Sequence, residues 1–189
     1  MLKDGDSTTV VKVELVGRQW VIKRYNLKSF GYAVSRLLRP SRAWHCWASA
    51  FRLLQAGIDT PAPLLMLEKR WGPLRRQAYY VTEHVEGPDV MALLADEQPG
   101  SVRWQQVAKM FDEFFRRMRQ QQLIHGDMKA TNFIVTSPWT ENARLSVLDL
   151  DATRIEHNET RFRKYHERDL ERYRTNWVRA GKLPATDPA

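Results

Sequence analysis

The stretch that most restricts the fold runs Leu123-Ile124-His125-Gly126-Asp127-Met128-Lys129-Ala130-Thr131-Asn132-Phe133-Ile134-Val135 and resumes, after a polar loop, as Leu145-Ser146-Val147-Leu148-Asp149-Leu150-Asp151. Ahead of it, Ser101 can cap a long helix in which Val107, Met110, Phe111, Phe114 and Met118 recur at helical spacing, with Lys, Arg and Gln on the outer face. The chain therefore leaves a helix, turns tightly at Gly126 and enters a hairpin of Phe133-Ile134-Val135 against Leu145-Ser146-Val147-Leu148. Such a hairpin brings Asn132 and Asp149, at its strand ends, near each other.

These residue types at this spacing are the parts that magnesium-dependent phosphoryl transfer requires. In that reaction the protein does little covalent work; it holds the nucleophile in line and supplies positive charge to the phosphates. Asp127 is the candidate catalytic base, able to orient an acceptor hydroxyl and take its proton, and Lys129 can reach the transferring phosphoryl group. Asn132 and Asp149 offer the hard oxygen ligands that magnesium prefers. Asp151 points to the same side as Asp149 if the strand continues and is a further candidate ligand, with Asp149 preferred because it ends the apolar run. A capped turn followed by a strand-end Asp, without catalysis, would account for one of these residues and hardly for the spaced set. His125 is expected to pack and hydrogen-bond beside the loop, and His45, His84, His157 and His166 make no metal-ligand pattern.

Upstream, Val10 to Leu15 and Gln19 to Tyr25 read as a hairpin about Val16-Gly17-Arg18. A helix begins after Ser41, with Trp44, Trp47, Phe51 and Leu54 at helical spacing and Gly57 as its stop. A strand at Leu64 to Glu68, a charged turn at Gly72-Pro73 and a β-prone run Ala78 to Glu83 complete a small mixed sheet with a helix. Lys23, beside Val21 and Ile22, is the candidate for the α/β-phosphates of ATP, although any exposed strand can carry a Lys. Gly5 and Ser7 lie in Lys3 to Thr9, which could fold over phosphates; it has one glycine where a full phosphate loop has three, and an ordinary loop explains it equally. Thr82 and Glu83, closing the β-prone run, complete the nucleotide-binding candidates. A last helix is expected to include Tyr165 to Trp177, before a frayed tail from Gly181.

The expected fold is α+β and two-lobed, protein-kinase-like and compact. Residues 1–87 form a small β-rich lobe over the nucleotide, and 88–189 a shortened helical lobe with the catalytic loop and metal-binding Asp.

The net charge of +8 is unevenly spread: from Arg18 to Arg76 the 189-residue chain carries twelve Lys or Arg against only Asp59 and Glu68. A field of that sign attracts an anionic membrane surface, a phosphorylated glycolipid or nucleic acid, or merely keeps the domain soluble. Arg36, Arg39, Arg42, Arg70, Arg75 and Arg76 are expected to be exposed toward anionic headgroups. Nucleic acid ranks last, since no recognition motif accompanies the charge. Apolar stretches such as Ala62-Pro63-Leu64-Leu65-Met66-Leu67 are far short of the ~20 residues that cross a bilayer. A cytoplasmic protein is expected, at most peripheral at the inner membrane. The single cysteine, Cys46, excludes an internal disulfide and reads as a buried thiol.

The chain resembles the bacterial lipopolysaccharide kinases, which phosphorylate core heptose or Kdo sugars. The resemblance rests on Val21-Ile22-Lys23-Arg24-Tyr25, Ala56-Gly57-Ile58-Asp59-Thr60-Pro61-Ala62-Pro63, the His125 to Phe133 run, Leu148-Asp149-Leu150-Asp151 and Arg168-Asp169-Leu170-Glu171-Arg172. It implies an ATP- and magnesium-dependent kinase with a sugar or glycolipid acceptor; no protein partner is inferred. After Asp149 there is no Ala-Pro-Glu motif, which leaves little chain for a peptide-docking platform, and fewer acceptor-binding helices than an aminoglycoside-type phosphotransferase would carry. In active kinases a helix Glu holds the strand Lys, yet Ser41 to Ile58 holds no Glu and Cys46 falls about where it would stand. Either another group orients Lys23, or activity is reduced and the chain is a nucleotide-binding pseudokinase. Gly5 also stands close to Met1 for a full first strand, which suggests a shortened member.

Overall fold

The computed structural model describes residues 3–5, 8–26, 40–72, 74–179 and 181. They fall into two units, Met1–Arg52 with Pro61–His84, and Leu53–Thr60 with Val85–Ala189.

The first unit is built on five strands, β1 (Lys3–Gly5), β2 (Thr8–Leu15), β3 (Arg18–Tyr25), β4 (Pro63–Trp71) and β5 (Leu74–Glu83), in the order β1-β2-β3-β5-β4. Every neighbouring pair is antiparallel, so the expected mixed sheet is corrected to an antiparallel one. The reason lies in the connections: three of the four pairings join consecutive strands by short turns, which can only reverse direction. Between β2 and β3 the turn residues Val16 and Gly17 both take positive φ, 52° and 69°, the geometry whose twist matches a two-residue hairpin.

Helix α1 (Arg42–Gln55) is inserted between β3 and β4, and Ser41 starts it by accepting the Trp44 N–H at 3.0 Å. The sequence shows two apolar faces on this helix. The buried one carries the smaller side chains Ala43, Cys46 and Ala50, whereas Trp44, Phe51 and Leu54 of the periodic stripe are exposed. Small residues let the helix approach β3 closely, where the Tyr25 hydroxyl lies 3.2 Å from Cys46 Sγ. Cys46 is the buried thiol that its neighbours suggested, in no disulfide.

In the second unit, Asp89 caps the short α2 (Val90–Leu93) and Ser101 caps α3 (Val102–Gln120), its hydroxyl accepting from the Trp104 N–H at 3.2 Å. After α3 come β6 (Leu123–Ile124), the hairpin β7 (Phe133–Thr136) and β8 (Arg144–Val147), β9 (Arg154–Ile155), and α4 (Glu159–Arg179). The hairpin register sets Phe133 opposite Val147, as its alternation required. The antiparallel pair β6–β9 was not foreseen, because two-residue strands leave no periodicity to read. Helix α3 buries Trp104 and Phe115 beyond the expected stripe, while Met110 is only half-buried. The core is aromatic: the Phe111 ring lies 5.0 Å from both Phe133 and Tyr173, and Trp104 lies 5.6 Å from Trp177. Edge-on and tilted contacts of this kind add to area burial by about 0.5–1.5 kcal/mol each.

The segment after α1 joins this unit as an extra edge. Val147 donates its N–H to the Asp59 carbonyl at 2.9 Å, and the buried Thr60 hydroxyl donates to the Val147 carbonyl at 2.8 Å. The strand that leads to Asp149 is thereby held on both sides.

Candidate active site

Gly126 takes φ +81°, and a Cβ built there would lie 2.7 Å from Ala152 Cβ and 2.9 Å from the Ala152 carbonyl oxygen. Only glycine fits the turn that lifts Asp127 out of the core. Two successive backbone N–H groups at this turn would be buried without a sheet partner, and one carboxylate on α4 accepts both. Asp169 receives the His125 N–H at 2.9 Å and the Gly126 N–H at 3.0 Å, and it is itself only 2 % exposed. A buried carboxylate is tolerated because its lone pairs are filled in this way.

His125 is buried and acts as a strut between two loops. Its Nδ1 accepts the Asp127 N–H at 3.2 Å, and its Nε2 lies 3.0 Å from the Leu148 carbonyl. That pair of partners requires the neutral tautomer with the proton on Nε2. Burial pushes its pKa below the ordinary value, in the same direction. His125 therefore packs and hydrogen-bonds beside the loop, as its sequence context suggested.

Asp127 sits at the centre of a polar group. Lys129 Nζ lies 2.8 Å from Asp127 Oδ2, Arg172 of α4 reaches the Gly126 carbonyl, and its guanidinium stands 3.9 Å from Asp127 Oδ1. The Asn132 amide nitrogen donates to the Asp127 carbonyl at 2.9 Å, and Leu148 donates its N–H to the Asn132 carbonyl at 2.7 Å. Asp127, Lys129, Asn132 and the residue preceding Asp149 are thus joined within one hydrogen-bonded loop pair.

At Asp149 the chain turns left-handed, with φ 54° and ψ 71°, and a 3-10 turn, Leu150–Ala152, follows. An Asp tolerates this conformation better than most residues. The strand does not continue: Asp151 lies within the turn, so the strand alternation that would put it on the same side as Asp149 does not hold.

Among the described residues no group of three or more His, Cys, Asp or Glu could enclose a metal. The donor chemistry nevertheless fits magnesium. Asn132 has its amide nitrogen turned to Asp127, which directs its oxygen away, and Asp149 is an exposed carboxylate at the end of the neighbouring chain. Magnesium is characteristically held by one or two protein oxygens, with water and substrate phosphates completing its shell.

In the first unit, Lys23 stands on β3 opposite Val10 and Tyr80, and its ammonium lies 5.6 Å from the Tyr25 ring centroid. Gly5 pairs with Thr8 in a short hairpin, and Ser7 lies outside the described residues. Thr82 is buried opposite Val21, whereas the Glu83 side chain is exposed and its N–H donates to the Ala62 carbonyl at 3.0 Å. Cys46 occupies an apolar position against Tyr25, and burial first, then the Cys46 sulfur, raises the Tyr80 hydroxyl pKa.

Sequence reasoning missed Asp169 and Arg172 as site residues. The signal was present: Phe162, Asp169, Leu170, Tyr173 and Trp177 form the buried stripe of α4, and a charged residue in an apolar stripe marks a polar group with work to do.

The sequence model of the lipopolysaccharide kinase (Kdo/WaaP) family matches residues 4–184. The chain belongs to this family. It is therefore a kinase, and the resemblance read from its motifs is confirmed. Among solved structures, WaaP in complex with acyl carrier protein matches at 21 % identity with a TM-score of 0.66, over 93 % of this chain and 77 % of that one. At that identity the likeness shows the fold, which is kinase-like as expected. A search of curated protein sequences found no match.

Proposed function

We propose that this kinase transfers the γ-phosphoryl group of ATP, with magnesium, to a hydroxyl of a Kdo or heptose sugar in the lipopolysaccharide core. The observation that carries the reading is Asp127 fixed at a half-buried turn by Asp169, His125 and Asn132, with Asp149 just past the adjacent strand. Asp127 orients the acceptor hydroxyl and takes its proton as the hydroxyl oxygen bonds to the γ-phosphorus and the bond to the β–γ bridging oxygen breaks. Lys129 and Arg172, both beside Asp127, supply positive charge where the phosphoryl group transfers. Bound through Asn132 and Asp149, magnesium would neutralise the phosphate oxygens. Lys23 is assigned to the α/β-phosphates; Gly5, Ser7, Thr82 and Glu83 remain candidates for the rest of the nucleotide.

No helix among the described residues is long and apolar enough to cross a membrane. The reading places the enzyme on the cytoplasmic side, at the inner-membrane surface. The solved WaaP was captured with acyl carrier protein, so a protein partner enters the reading beside the glycolipid, where sequence analysis inferred none.

A second reading, a nucleotide-binding pseudokinase, is favoured by Cys46 standing where a helix Glu was expected. Incubation with labelled ATP, magnesium and dephosphorylated core glycolipid separates the two. Label in the glycolipid establishes the kinase reading; magnesium-independent ATP binding without transfer establishes the other.

A further inference from the structure

Helix α1 buries one apolar face and leaves the other open. Trp44 and Phe51 are each 42 % exposed, and the half-buried Trp47 packs edge-on against Phe51 with ring centroids 5.2 Å apart. Residues spaced by three and four on a helix share one side, so these three rings form a continuous aromatic strip. Single exposed apolar residues are ordinary on a protein surface; a contiguous strip marks something that covers it.

We propose that this strip is a docking surface for an anionic lipid bilayer, with Trp44, Trp47 and Phe51 entering the headgroup region. The inference rests on the reading of the acceptor as a glycolipid and names the surface that would bring the enzyme to it. Two observations select a bilayer over a second copy of the chain. Tryptophan, with an apolar body and an N–H that stays hydrated, is enriched at the membrane interface. The charge also selects: α1 exposes Arg52 and carries no acidic residue, within a stretch of twelve cations to two acids and a chain of net charge +8. A second copy would set like charge against like, whereas anionic headgroups complement it.

The structure also revises which arginines take part. Arg42 is turned inward, over the Tyr25 ring at 4.8 Å and toward the Thr8 hydroxyl at 3.4 Å, and Arg70 pairs with Glu68 at 2.5 Å. Arg36 and Arg39 lie outside the described residues. Arg52, exposed in the last turn of α1, is the cation nearest the strip along the helix.

The test is flotation of the full chain with vesicles of equal parts phosphatidylethanolamine and phosphatidylglycerol. Wild type is compared with Trp44→Ser/Phe51→Ser and with Arg52→Glu. The double variant should partition about tenfold or more weaker, because two rings no longer leave water. Arg52→Glu should weaken binding mainly at low salt. Melting temperature and phosphoryl transfer to a lipid-free core oligosaccharide should stay at the wild-type level in the double variant. Equal flotation of wild type and the double variant would overturn the proposal. So would a wild-type dimer that the double substitution dissociates while flotation persists, which would assign the strip to a second copy. Flotation is read without any acceptor, so absence of transfer by wild type would sink the kinase reading alone.

Discussion

In the second unit a single buried carboxylate, Asp169, accepts the N–H groups of His125 and Gly126, and His125 in turn bridges Asp127 to Leu148. In the first unit Lys23 lies within a strand ladder, between Val10 and Tyr80 in register, with its ammonium 5.6 Å from the Tyr25 ring centroid. The contrast follows from backbone geometry. A strand satisfies its polar groups in the sheet and fixes a side chain's direction redundantly. An irregular loop at positive φ has no such ladder, so individual side chains must supply the missing partners. Substitutions in the loop should therefore cost both stability and turnover, and those on the strand should cost only what the side chain itself does.

The largest effect should come from Asp127→Asn, which keeps shape and removes the base. Transfer should fall by about 10²–10⁴-fold with ATP binding retained, measured by labelled-phosphate transfer and nucleotide titration. Asp149→Asn should differ in kind, weakening the magnesium-dependent part of ATP binding. Equal transfer rates for wild type and Asp127→Asn would remove the catalytic assignment.

Next is Asp169→Ala, which leaves two loop N–H groups buried without acceptors, at about 1–3 kcal/mol each. The variant should melt earlier and lose turnover by about tenfold or more, with a smaller change in KM. Asp169→Asn, which keeps one acceptor oxygen, should recover part of both. If Asp169→Ala lowers only the melting temperature, the carboxylate stabilises the fold without positioning Asp127.

Lys23→Ala sharpens the contrast from the other side. It should raise KM for ATP by about tenfold and lower turnover less, with no change in melting temperature beyond a degree or two. Turnover as low as that of Asp127→Asn, with ATP still bound, would mean that Lys23 acts on the transferring phosphoryl group rather than on nucleotide binding.

Much of this was legible in the sequence because the catalytic loop is local. Asp127, Lys129 and Asn132 lead into, and Asp149 follows, a hairpin whose alternation and turn residues are written consecutively. What was not legible depended on distant partners. Asp169 is 43 residues from Gly126 in the chain, and only its place in an apolar stripe hinted at burial. Which face of helix α1 is buried was not legible for a related reason: two apolar faces give the same period, and the smaller side chains took the interior, where they let the helix approach β3. The condition for Asp151 to share a side with Asp149, that the strand continue, fails at a left-handed residue, which no periodicity reveals.

Thr60→Val tests whether the segment after α1 belongs to the loop's support. It replaces a buried hydroxyl bonded to the Val147 carbonyl with an isosteric methyl. The expected cost is about 1 kcal/mol, or about 2–4 °C in melting temperature. Turnover should fall with it if β8 positions Asp149, and stay unchanged if the segment only seals the core.

The smallest effect is a pH dependence at His166, which lies on α4 three residues before Asp169. Its ring stacks on Phe162 at 5.2 Å and faces Phe115 edge-on at 6.4 Å. Burial first, then the Arg119 guanidinium, push its pKa below the ordinary 6.5, against weaker opposing pulls from Asp169 and Glu167. A base whose pKa is lower folded than unfolded binds more protons when unfolded. The penalty is absent above the unfolded value and grows as the pH falls below 6.5, toward the depressed folded value. His166→Gln should remove that penalty, so its melting temperature should fall less than wild type's between about pH 7.5 and about pH 5.5, by a couple of degrees. Because His166 shares α4 with Asp169, acid should also lower wild-type turnover more steeply than that of His166→Gln. Parallel pH profiles for both proteins, in melting and in turnover, would show that acid reaches the loop by another route.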